Sequence, residues 1–124
     1  KIEGDGQFIK LGFVPDERIV EIYNQATVLI MPSIYEGFGL PVLEAMNCGT
    51  PVISSQGGSL PEIGGDAVWY TDDLDVENIR GAIEKVMGDL PLRAELSQIG
   101  LARAGEFNQR KSIEDLVKVY GEVA

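Results

Sequence analysis

The sequence has no histidine, one cysteine (Cys48) and one tryptophan (Trp69) in 124 residues. With no imidazole and a single thiol, a zinc site has too few ligands to form. A lone cysteine excludes an intrachain disulfide and fits a cytoplasmic setting. Cys48 stands beside Gly49 at a helix end and reads as a small buried apolar residue rather than a nucleophile. Positive charge is scarce: 10 Lys and Arg face 20 Asp and Glu, for a net charge of −10. That balance disfavours attraction to nucleic acid or to an anionic membrane surface. No apolar stretch approaches membrane-spanning length, and no secretory signal is visible. Internal repeats and low-complexity tracts are also lacking.

What is present suits one globular α/β domain. Apolar residues make up 44% of the chain, too many for a disordered one. The length allows a single domain, residues 1–124. Lys1 to Gly6 has the character of mid-loop sequence, so the chain reads as a partial domain. Gln7 to Val14 is mostly apolar and predicts a strand covered on both faces. Pro15-Asp16 opens a helix to about Ala26, with Ile19, Ile22, Tyr23 and Ala26 on one face. Further strands are expected at Thr27 to Met31, Thr50 to Ser54 and Ala67 to Tyr70, with one helical turn at Leu60 to Ile63. Pro51 is tolerable at a strand start but not inside a ladder. Three later helices are predicted: about Val76 to Met87, Pro91 to about Gly105, and Gln109 to Val123. Their stripes, among them Val76, Ile79, Ile83, Val86 and Met87, read as packing faces, and Trp69 reads as core. Strands alternating with helices indicate a parallel sheet with right-handed crossovers.

The run Glu36-Gly37-Phe38-Gly39-Leu40-Pro41-Val42-Leu43-Glu44 carries the chemistry. It follows a strand and enters a helix predicted from about Leu40 to Asn47, stopped by Gly49. Gly37 and Gly39 permit a sharp bend and close approach by a ligand. Pro41 fits the first helical turn. The free amides of such a bend attract an anion, phosphate above all. Glu36 and Glu44 flank this seat and can accept hydrogen bonds from sugar hydroxyls. Taken alone, the pair reads better as a capping loop carboxylate and a solvated helix residue than as a binding pair. The small-residue loop Ser54 to Ser59 should lie on the same rim, because loops at strand carboxyl ends face the ligand crevice of a doubly wound sheet.

These residues resemble the E-x7-E signature of retaining glycosyltransferases with the GT-B fold, family 4 and its relatives. Leu11-Gly12-Phe13-Val14, Ile30-Met31-Pro32-Ser33, Cys48 to Ile53, Gly58 to Ile63 and Phe107-Asn108-Gln109 are similar to further stations of that family, in its order. The resemblance implies the Rossmann-like C-terminal half of the GT-B fold. Its strand order is 3-2-1-4-5-6, and this chain would begin at the third strand, with the first two missing. It also implies site roles: Glu36 at the donor sugar, Gly37, Phe38, Gly39 and Leu40 along the diphosphate, Glu44 on the nucleotide ribose, and Ser54 as a further donor contact.

The expected function is therefore the donor-binding half of a transferase that moves a sugar from a nucleotide diphosphate sugar to an acceptor, without metal or other cofactor. The N-terminal acceptor domain, and a basic residue near the diphosphate, would lie outside these residues. The alternative is a nucleotide-sugar-binding module without chemistry, or a split-transferase half that needs a partner chain. Either form should be inactive alone. The strand at Gln7 to Val14 would have two vacant positions beside it, an unstable arrangement. It is expected to slide in beside Thr27 to Met31, or to have the vacancy filled by a second copy in a homodimer through exposed sheet edges.

Overall fold

Prolines and acidic residues set the helix starts. In the computed structural model, which describes residues 8–34, 38–107 and 121, Pro15 precedes α1 (Asp16–Gln25), whose first turn carries Asp16 and Glu17. Negative charge is favoured there by the helix dipole. Proline also occupies the first turn of α2 (Leu40–Asn47), α3 (Leu60–Gly64) and α5 (Leu90–Ala104). There its missing N–H leaves no bond unmade. α4 (Val76–Met87) and α5 begin on Asp75 and Asp89, whose carboxylates accept from the amides of Asn78 at 2.8 Å and Leu92 at 2.9 Å.

Three short strands, β1 (Leu29–Met31), β2 (Val52–Ser54) and β3 (Val68–Tyr70), form a parallel sheet in the order β1-β2-β3. Leu29, Val52 and Val68 lie abreast, as do Met31, Ser54 and Tyr70. This is the consecutive parallel run expected of a Rossmann-like fold. Side chains alternate across the sheet. Val52 and Val68, with Leu29 and Met31, pack against Val42, Ala45 and Met46 of α2 and Leu60 and Ile63 of α3. Ile53, with Val28 and Trp69, packs on the other face against Ala82, Val86 and Leu96. α5 serves both clusters, Leu96 in one and Ala104 in the other.

The bounds of α2 and α4 coincide with those expected. The strands are shorter at their starts, and Pro51 lies outside the ladder, its carbonyl accepting from Leu29 N at 2.9 Å. In α4 the buried residues are Ala82 and Val86, while Val76 and Met87 at the ends of the expected stripe are exposed. The strand expected over Gln7 to Val14 is corrected: residues 8–14 form no strand. Gly12, at φ 64°, breaks the extended run. Phe8, Ile9, Leu11 and Phe13 are exposed, Phe13 at 94%. The segment does not slide in beside β1. An extended segment becomes a strand only when a neighbour takes its backbone groups, and among the described residues the β1 edge away from β2 carries no strand. The helix expected over Gln109 to Val123 lies outside the described residues, apart from Gly121.

Candidate functional site

The bend between β1 and α2 is built around Gly39. It is buried and left-handed (φ 75°, ψ 41°) at the N-cap of α2, a backbone state that costs a residue bearing Cβ about 1–2 kcal/mol. Glu36 and Gly37 lie outside the described residues. Phe38 and Leu40 are exposed on either side of the bend. Pro41 has no amide, and those of Val42 and Leu43 turn back to the Gly39 carbonyl at 3.0 and 3.2 Å. Helix geometry therefore leaves the amides of Gly39 and Leu40 as the donors without an intrahelical acceptor, at the positive end of the α2 dipole.

α2 is held from behind. Val42, Ala45 and Met46 are buried. Gly100 of α5 comes so close that a Cβ there would meet Met46 Cγ at 3.4 Å. Gly49, at φ 71°, ends the helix, and its carbonyl accepts from Ser97 Oγ at 2.7 Å. α5 thus holds the C-terminal end of α2, while Val42 is buried near its N-terminal end.

The loops leaving β1 and β2 share one rim, as expected. Ser55 N donates to Met31 O at 3.2 Å, and Ser55 Oγ donates to Ser33 O. Gly57 lies so close beneath that a Cβ would strike the Ile34 carbonyl, with Ser33 O 2.8 Å away. Ser54 is 2% exposed, and its hydroxyl donates inward to Ser55 O at 2.9 Å and Met31 O at 3.3 Å. In the loop leaving β2 the exposed residues are Gln56 and Gly58.

Glu44 stands four residues past Leu40, about 6 Å along the helix, and is exposed. It lines a groove of about 430 Å³ between α1 and α2, together with Asp16, Ile19, Tyr23, Asn47 and Cys48. Tyr23 of α1 faces this groove from the other wall. Burial first, then the charge and hydrogen bonding of Glu44, push the Tyr23 phenol up to about 12. Burial, and then the same carboxylate, also raise the Cys48 thiol.

Sequence reasoning assigned Tyr23 to packing only. The available signal was a phenol on an apolar stripe, whose polar tip needs a partner once the ring is half buried. Ser55 was passed over in favour of Ser54. Nothing in the sequence distinguishes a serine that binds its own loop from one that crosses to the next.

Residues 2–103 match the family described as "Glycosyl transferases group 1". The chain is 40% identical over 116 residues to O-antigen chain mannosyltransferase B of Escherichia coli, covering 94% of this chain and 30% of that protein. It is 38% identical over 109 residues to D-inositol 3-phosphate glycosyltransferase of Acidothermus cellulolyticus, covering 86% of this chain and 24% of that protein. Sucrose-phosphate synthase from Thermosynechococcus elongatus superposes with a TM-score of 0.82 at 30% identity, covering 91% of this chain and 29% of that one. The chain thus spans less than a third of the length of these relatives.

Proposed function

Because the chain belongs to the glycosyl transferases group 1 family and has the fold of the C-terminal domain of GT-B glycosyltransferases, we propose that it is the donor-binding half of a retaining, metal-independent transferase. It takes a nucleotide diphosphate sugar as donor, works in the cytoplasm and is inactive without an acceptor domain. The observation that carries this reading is the left-handed Gly39 bend, with the Gly39 and Leu40 amides at its tip and Glu44 about one turn further along α2. Main-chain dipoles suit a pyrophosphate even in a chain of net charge −10. They are fixed before reaction, so they stabilise the charge that develops as the sugar–phosphate bond breaks, without reorganising. In this reading the Glu44 carboxylate accepts from the ribose hydroxyls, and Glu36 orients the sugar. Ser54 shapes the floor beneath the donor through its inward bonds to Ser55 O and Met31 O.

The test is isothermal titration of the complete polypeptide that carries this domain with ADP, GDP and UDP, in EDTA. One of them binds, and Glu44→Ala weakens it about 10- to 100-fold, the worth of hydrogen bonds to a charged group. Equal affinity in the variant removes the ribose role. Product from the isolated 124 residues removes the claim that they are inactive alone. The anomeric coupling of the product decides between retention and inversion.

A further inference from the structure

The groove beside Glu44 holds a second group that the donor-binding reading leaves unused. Tyr23 is fixed at two points. Its carbonyl accepts from Thr50 Oγ1 at 2.6 Å, which ties the last turn of α1 to the start of β2. Its ring packs against the cluster of Val42, Ala45 and Met46. With backbone and ring both seated, Tyr23 lines the same groove as Glu44, close enough for the carboxylate to act on its phenol.

Resting on the ribose reading of Glu44, we propose that Tyr23 is a positioning residue: its hydroxyl donates to the Glu44 carboxylate and holds it in the orientation that accepts the vicinal hydroxyls of a ribose. A carboxylate has about four lone-pair sites. One bond from Tyr23 leaves enough for two ribose hydroxyls and removes the rotational freedom of an exposed glutamate before the nucleotide arrives. A phenol raised to about 12 remains a donor throughout the neutral range. Cys48 faces the same carboxylate, but a thiol is a weak donor and cannot substitute. Tyr23 touches no donor atom in this arrangement and acts through Glu44.

The discriminating measurement is the ratio of affinities for ribo and 2′-deoxyribo forms of ADP, GDP and UDP, taken on the complete polypeptide. Wild type prefers the ribo form. Tyr23→Phe keeps the ring, so the melting temperature stays close to wild type, yet the preference falls about three- to tenfold, the worth of one hydrogen bond. Affinity for the deoxy form stays within twofold. Glu44→Ala removes the preference altogether. If Glu44→Ala does so and Tyr23→Phe leaves the ratio intact, the positioning role is overturned and the ribose reading survives. If Tyr23→Phe weakens ribo and deoxy forms equally, Tyr23 is structural only. If wild type shows no preference, or Glu44→Ala does not change it, the ribose reading falls and this proposal with it. An independent check, useful if Tyr23→Phe is poorly folded, is the ring-carbon NMR signal of Tyr23 in the unmutated chain. It should move when the ribo nucleotide binds, and a signal that ignores the nucleotide counts against the proposal.

Discussion

The two sides of β2 differ in what they can lean on. On the far side, α5 packs on α2 and α3: Gly100 meets Met46, Ser97 holds the Gly49 carbonyl, and Arg103 donates to the carbonyls of Ile63 and Glu62 at the end of α3. On the near side, among the described residues, the outer edge of β1 carries no strand, α1 buries no residue fully, and the apolar segment before it is exposed. Phe8 to Val14 is mostly apolar and yet its large side chains are exposed, so hydrophobicity alone does not create structure. Burial needs a second surface.

The largest test of this contrast pairs one core substitution with one on the open side. Met46→Ala, at 1% exposure, is expected to lower stability by about 2–5 kcal/mol. Phe13→Ala, at 94% exposure, should fall within about 0.5 kcal/mol of wild type. Urea unfolding of the two variants reads both values, and a large loss at Phe13 would break the comparison.

Next comes the bend that joins the two sides. Gly39→Val forces a β-branched residue into a left-handed position and should cost at least about 1–2 kcal/mol. It should also weaken nucleoside diphosphate binding, measured by titration, because the Leu40 amide is re-aimed.

The seam itself is Thr50 to Tyr23. Thr50→Val removes a 2.6 Å bond and leaves the Tyr23 carbonyl without it, for an expected loss of about 1 kcal/mol. Faster amide exchange confined to α1 would show that the open side loosens first.

The smallest effect lies on the closed side, in acid. The Asn78 amide, and then its side chain, hold the Asp75 carboxyl below its ordinary range, and the Leu92 amide does the same for Asp89. Both groups add stability that is present above the unfolded carboxylate value of about 3.9 and is lost as pH falls through the lowered folded value. Asp75→Asn keeps a cap but removes one titrating group. Its melting temperature should therefore fall less steeply below that pH than that of wild type.

These contrasts also explain what the sequence made legible. α2 could be read to its last residue because Gly39, Pro41 and Gly49 act locally, each by its own backbone preference. The carboxylate at Glu44 could be placed one turn along by helix geometry alone. Phe8 to Val14 was misread because a strand is a relation between two segments, and periodicity describes only one of them. Ala82 and Gly100 were missed as contact points because small residues mark where elements come closest, a fact visible only from the partner helix. Tyr23 and Glu44 come to one groove from two helices through tertiary packing, so spacing along the chain gave no sign of it.

The Ser55 hydroxyl bridge to Ser33 has a mechanical consequence. With the Ser55 amide on the Met31 carbonyl and Gly57 wedged under Ile34, the two loops above the sheet are riveted into a single plate. Residues 33–34 and 55–57 therefore shift together or not at all, unless these bonds are first broken.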